Sequence, residues 1–186
     1  MQETQSSNIQ SSLKKAGSEV SRPFGRFREA PIWQILETVP DPEVPVLSVL
    51  DLGIVRDVKI SDNGIEVIIT PTYTGCPAMD MITVNIKLAL AEHGYKNVKV
   101  TSVLSPAWTT DWMSEEGKRK LKQYGIAPPN SKQHVCNSNL FSEEVIQCPQ
   151  CNSYHTHRIS EFGSTACKSL YQCDDCKEPF DYFKCH

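Results

Sequence analysis

Cys148-Pro149-Gln150-Cys151, followed after twenty-one residues by Cys173-Asp174-Asp175-Cys176, is the stretch that decides the C-terminal fold. Each CxxC turn aims two sulfurs at one point, and two such turns complete the tetrahedron that Zn(II) prefers. The spacing therefore predicts a ribbon closed around a metal held by Cys148, Cys151, Cys173 and Cys176. Such a ribbon explains how a small lobe folds and says little about what the chain does.

Working outward, 186 residues leave room for one ordinary domain beside that lobe. The formal net charge of -3 supplies no general attraction to nucleic acid or to an anionic membrane. Residues 141–186 carry four Lys/Arg against seven Asp/Glu, and four thiolates around one Zn(II) add a further formal -2. A phosphate-gripping ribbon would be basic, so a nucleic-acid role is disfavoured. The chain shows neither the apolar core of a secretory signal nor an apolar run of membrane-spanning length, which predicts a cytoplasmic protein. In that compartment the eight cysteines are expected as reduced or metal-bound thiols rather than disulfides.

Residues 1–29 hold six serines, three glutamines and few apolar groups, and are expected to be a disordered tail. A short helix is predicted from Pro31 to Thr38, ended by Asp41-Pro42-Glu43-Val44-Pro45. Strands follow at Ile54–Ile60 and Ile65–Thr70, joined by a hairpin whose positive-φ turn is assigned to Asn63-Gly64. Met79, Ile82, Ile86, Ala89, Leu90 and His93 form one stripe on a helix from Pro77 to His93, with His93 expected at the core or its boundary. A third strand at Val98–Leu104 and a surface helix at Ser114–Tyr124, stopped by Gly125, complete a small α/β domain over 30–127 with a short mixed sheet and helices. Residues 128–140 are the expected linker, and 141–186 the zinc ribbon, with Tyr171, Phe180, Tyr182 and Phe183 as its core.

A second chemical signal is Thr70-Pro71-Thr72-Tyr73-Thr74-Gly75-Cys76-Pro77, where a strand end meets a helix start. With Pro77 in the first turn, Cys76 is the expected N-cap. There the helix dipole would favour its thiolate over that of a free cysteine, with Thr72 and Thr74 as hydroxyl donors. The alternative is a small buried hydrophobe, a common fate of cysteine. For Asp41 and Asp51, turn and capping chemistry is the simplest physical reading. Trp108 and Trp112 are either exposed anchors for a partner or a lid over the core.

Asp41-Pro42-Glu43 with Pro45, Ser48, Asp51-Leu52-Gly53-Ile54-Val55 and Thr74-Gly75-Cys76-Pro77 resemble the SufT-like iron-sulfur assembly family. Several later stretches are similar to the PaaD (or PaaJ) family of accessory components of phenylacetyl-CoA monooxygenase (epoxidase) systems. They are Ser105-Pro106-Ala107-Trp108-Thr109-Thr110-Asp111-Trp112, Tyr124-Gly125-Ile126-Ala127-Pro128-Pro129, the CPQC knuckle, Gly163-Ser164-Thr165-Ala166-Cys167-Lys168 and Glu178-Pro179-Phe180-Asp181-Tyr182-Phe183-Lys184. The resemblance spans roughly residues 30–186 and leaves out the N-terminal extension. It implies a bacterial accessory factor of aerobic phenylacetate degradation, assisting iron-sulfur or metal-centre assembly alongside the oxygenase or reductase subunits. The family's reactive cysteine maps onto Cys76, with Thr74 and Asp51 carried along as candidate site residues, and its zinc ligands map onto the four knuckle cysteines. Cys167 falls in a family-like stretch, and is either a fifth thiol near that metal or a replacement for one of the four.

The leading expectation is thus a maturation factor in which Cys76 transiently ligates iron or an iron-sulfur cluster while the ribbon docks the client. One cysteine supplies only one of the usual four cluster ligands, so a homodimer pairing two Cys76 residues is a corollary. The alternative is a rubredoxin-like electron-transfer or scaffold subunit of the same oxygenase, since tetrahedral sulfur suits Fe as well as Zn. A CPQC oxidoreductase is disfavoured because that motif has a partner knuckle. No paired carboxylates, nucleophile-base pair or phosphate loop marks the chain as an enzyme by itself.

Overall fold

The computed structural model describes residues 31–129 and 145–184. The expected tail, most of the expected linker, and Cys136 and Cys185 lie outside the described residues.

Helix α1 (Pro31–Glu37) buries Ile32, Ile35 and Leu36. Strands β1 (Val55–Ser61) and β2 (Gly64–Ile69) pair antiparallel from Ser61↔Gly64 upward. The turn is therefore carried by Asp62-Asn63, one residue earlier than expected, and Gly64, with φ of 140°, opens β2. Glycine is required there because a Cβ would come within 2.3 Å of the Asn97 carbonyl oxygen. Helix α2 (Ala78–Glu92) crosses over to β3 (Val98–Ser102), which pairs parallel to β2 and gives the mixed order β1-β2-β3. Ile65, Val67 and Ile69 alternate inward along β2 to meet Ile82, Ile86 and Leu90 of α2. His93 departs from the expectation: it is exposed, with its Nδ1 2.8 Å from the Ala89 carbonyl oxygen.

The segment between α1 and β1 adds Val39, Val44, Leu47, Val49, Leu52 and Ile54 to this core. Its backbone is held by two aspartates. Asp41 Oδ1 accepts from the N–H groups of Glu43 and Val44 at 2.8 and 2.7 Å. Asp51 and Ser48 cap each other, each side chain accepting from the other's N–H at 3.0 Å. Asp51 also accepts from the Ser114 hydroxyl at 2.9 Å and from Lys120 Nζ at 2.6 Å, which clamps helix α3 (Glu115–Tyr124) against the loop. Ser114 is the N-cap of α3, and Gly125 ends it in the left-handed region with φ of 89°. Ahead of α3, a short 3-10 turn at Thr110–Trp112 places Trp108 inside, its indole N–H donating to the Leu52 carbonyl at 2.9 Å. Trp108 is thus a lid over the core, whereas Trp112 is half-buried with the Arg56 guanidinium 3.5 Å from its ring centroid.

The C-terminal lobe is an antiparallel sheet of β4 (Thr156–Ser160), β5 (Lys168–Cys173) and β6 (Pro179–Phe183). Tyr171 stacks on Phe180 and meets Tyr182 edge-on, forming a small core with Ala127, Ile146, Cys148 and Cys173. Phe183 does not join it. Phe183 and Cys167 are buried in the larger N-terminal core, where Phe183 meets the Trp108 ring edge-on at 6.3 Å. Backbone bonds across Ala127 (its N–H to the Asp181 carbonyl at 2.8 Å, the Phe183 N–H to its carbonyl at 2.9 Å) fasten the two lobes together. Among the described residues no helix is long and apolar enough to cross a membrane.

Candidate functional site

The two knuckles repeat one backbone construction. Asn152 N–H bonds the Cys148 carbonyl and Lys177 N–H bonds the Cys173 carbonyl, both at 3.0 Å. The residue following each second cysteine, Asn152 or Lys177, takes a left-handed φ of 62° or 66°. These turns bring the sulfurs of Cys148, Cys151, Cys173 and Cys176 within 4.8 Å of one another. Two cross-knuckle approaches are 3.8 Å (Cys148 to Cys176) and 3.5 Å (Cys151 to Cys173). A tetrahedron with Zn–S bonds of about 2.3 Å has edges of about 3.8 Å, so the spacing fits such an ion.

The electrostatics agree. The Cys176 N–H, with that of Asp175, faces the Cys173 sulfur and brings its thiol down to about 7. At Cys176 the Glu178 N–H acts the same way, but burial and the neighbouring sulfurs outweigh it and push the thiol up to about 12. Four sulfurs this close cannot all ionise against one another without a cation between them.

Cys76 occupies a different setting. Helix α2 begins at Ala78 with Pro77 as its N-cap, so Cys76 lies one residue further out than expected. Its sulfur still receives the Ala78 N–H and has Thr72 and Tyr73 as side-chain hydrogen-bond partners. The net effect is opposite to the expected one. Burial, with the Glu43 carboxylate adding to it, raises the Cys76 thiol above its ordinary value despite those donors. Tyr73 beside it is pushed up to about 12 by burial and by Cys76 and Glu43.

The half-buried Cys76 lines a small cavity with Asp41, Glu43, Thr72, Met79, Cys167 and Phe183. Cys167 and Phe183 arrive from the ribbon lobe. The structure thereby separates Cys167 from the knuckle sulfurs: it is neither a fifth thiol there nor a substitute for one of the four. Its sulfur lies 3.0 Å from the Thr165 hydroxyl and 3.7 Å from Glu43 Oε2, and burial pushes its thiol up to about 11. Burial also raises the Asp41 carboxyl, against the opposing N–H bonds from Val44 and Glu43.

Two residues grouped with Cys76 from the sequence do not line this cavity. Thr74 is exposed, and Asp51 is occupied with Ser48, Ser114 and Lys120. At Asp51 burial pushes the carboxyl up, yet Lys120 and the bonds from Ser48 and Ser114 prevail and its pKa is lowered. Glu43 and Cys167 stand out in the sequence only as members of family-like stretches. They are 124 positions apart, and nothing in their local spacing signals that they meet.

Comparison with known proteins follows the same division. Residues 132–184 match the family model of the PaaD zinc beta ribbon domain, and residues 29–103 match that of an iron-sulfur cluster assembly protein. Over 154 residues, covering 83% of this chain and 91% of the relative, it is 51% identical to an Escherichia coli (strain K12) protein. That protein is named as one component of a "Putative 1,2-phenylacetyl-CoA epoxidase". An Fe-S protein maturation auxiliary factor of Porphyromonas gingivalis is 38% identical over 95 residues, which are 50% of this chain and 90% of that one. A crystal structure of the domain of unknown function DUF59 from Bacillus anthracis is similar at 30% identity and a TM-score of 0.46, covering 48% of this chain and 87% of that one.

Proposed function

The chain belongs to the PaaD family, and from that premise we propose that it is an accessory factor of a multicomponent phenylacetyl-CoA epoxidase, handling iron for that system's metal centres at Cys76. The observation that carries this reading is the division of the thiols. Four are closed on one another in the ribbon, while Cys76 stands half-exposed at a cavity and beside a helix start. A closed tetrahedral set suits a structural Zn(II), held by Cys148, Cys151, Cys173 and Cys176, which contributes folding energy to the small lobe. An accessible sulfur with hydroxyl and N–H neighbours suits reversible ligation of a soft cation. Because its thiol is raised, Cys76 is protonated when free, and taking up a metal releases that proton. Iron or an iron-sulfur unit is here cargo rather than a resident group. The ribbon lobe then contributes an acidic surface for docking the oxygenase or reductase component.

Replacing Cys76 with Ala is expected to leave the fold and the ribbon metal in place and to abolish maturation of the epoxidase in cells lacking the native factor. Epoxidase carrying its full iron content with this variant would refute the proposal. The exposed Cys151 favours one second reading, in which the knuckles hold Fe and pass electrons through that surface sulfur. A colourless ribbon with one Zn per chain would eliminate it.

A further inference from the structure

We infer that the outer face of α2 is the contact through which two copies of this chain pair, lying antiparallel about a twofold axis between Val84 and Leu88, with the two Cys76 sites at opposite ends of the pair. The inference concerns how the molecule assembles and does not depend on what Cys76 carries.

Helix α2 turns Ile82, Ile86 and Leu90 into the core. On its other side Met81, Val84, Leu88 and Ala91 follow one another at steps of three, four and three residues, the spacing of the apolar seam of a coiled coil. This second stripe is uncovered: Met81, Val84 and Leu88 are 53%, 48% and 55% exposed, and Ala91 is exposed beside them. A helix on the surface of a single molecule is apolar on one side and polar on the other. Helix α3 obeys that rule, with six charged residues among its ten, whereas α2 has three among fifteen. Two apolar stripes on one helix call for two partners, and the described residues supply one.

The charges beside the stripe fit a second copy of the same helix. Asp80 and Lys87 flank the seam on one side, one heptad apart, and among the described residues neither has an ion-pair partner of its own. In an antiparallel pair centred between Val84 and Leu88, Val84 meets Leu88 of the partner subunit and Met81 meets Ala91 of the partner subunit, large against small. Asp80 then faces Lys87 of the partner subunit, and the twofold axis makes that contact twice. A parallel pair would set Ala91 against its own copy, leaving a gap, and would align the helix dipoles instead of opposing them. About four turns of helix bury less surface than a permanent dimer does, so the pairing is weak and reversible. At about 1.5 Å per helical residue outward from the centre, the two Cys76 residues stand roughly 30 Å apart. No iron or cluster is then shared between them, in contrast to a dimer joined through Cys76.

The test is sedimentation of the full-length, zinc-loaded protein from micromolar to millimolar concentration. Wild type should pass reversibly from monomer to dimer. Leu88→Glu should stay monomeric throughout, with its circular dichroism and Zn content unchanged. Asp80→Lys and Lys87→Asp should each weaken the dimer about tenfold, because each replaces two symmetric attractions by repulsions, and the double variant should recover wild-type dimerisation. A wild type that remains monomeric, or a dimer that Leu88→Glu leaves intact, would overturn the inference. Recovery by combining Lys87→Glu with Glu92→Lys, but not by exchanging Asp80 and Lys87, would mean a parallel pair and would refute the antiparallel arrangement. Should Leu88→Glu misfold, the charge exchange decides: loss in both single variants with recovery in the double supports the inference, and no loss in either refutes it.

Discussion

In the ribbon lobe four sulfurs lie within 4.8 Å of one another behind inward-facing backbone N–H groups, whereas in the N-terminal lobe a half-exposed sulfur faces a cavity completed from the other end of the chain. The first arrangement is local, set by two turns of the same construction, and has no open coordination position. The second depends on the docking of one lobe against the other, through Phe183, Cys167 and the backbone bonds at Ala127. Closed local geometry suits permanent metal and folding energy. Accessible geometry that depends on tertiary contact suits metal that comes and goes.

The largest effect that would break this contrast is expected in the ribbon. Cys173→Ser, or stripping the metal with a chelator, should unfold residues 145–184, since structural zinc can supply about 10 kcal/mol or more to a small domain. Circular dichroism and hydrogen exchange should show the β1-β2-β3 sheet and α2 retained. Loss of both lobes together would show that the N-terminal lobe is not stable without the ribbon. Next in size is Phe183→Ala, which removes a side chain that is 1% exposed from the junction. A cost of about 3–5 kcal/mol is expected for such a truncation, with the ribbon metal retained. Thermal unfolding should then separate into two transitions; one unshifted transition would mean that the lobes are not coupled through this residue.

The smallest effect concerns acid. Because the Asp51 pKa is lowered on folding, its stabilisation is fully present above the unfolded value of about 3.9 and is lost as pH falls through the folded one. Asp51→Asn should therefore cost about 1 kcal/mol or more at neutral pH, as hydrogen bonds to a charged group do, and should unfold less steeply below about pH 4. Asp41, raised on folding, works with the opposite sign, favouring the folded state more as pH falls toward its unfolded value. Urea titrations across that range measure both, and an unchanged acid limb in Asp51→Asn would remove Asp51 from the clamp on α3.

The same contrast explains what was legible in the sequence. The CxxC pairs, the α2 stripe and the Ser114 and Gly125 caps are short-range patterns, and their elements form within a residue of where those patterns place them, although His93 leaves the stripe for solvent. The hairpin turn lies one residue earlier than expected, and Gly64, whose demand for glycine comes from the close approach of Asn97 rather than from the turn alone, pairs with Ser61 instead. Phe183 left the expected ribbon core because alternation along β6 puts it on the face opposite Phe180 and Tyr182, where it meets Trp108. At the candidate site, Cys76 was visible from its strand-to-helix position, but its raised thiol comes from burial and from Glu43, which local sequence does not encode. Asp51 and Thr74 share family-like stretches with Cys76 without sharing its cavity. Cys167 enters that cavity only because two lobes dock.

The most direct measurement is metal content and visible absorbance of wild type and Cys76→Ala, purified side by side without oxygen. One Zn per chain is expected in both, with iron and its thiolate absorbance in wild type alone. Equal iron in the two proteins, or Zn alone in both after exposure to Fe(II), would contradict it.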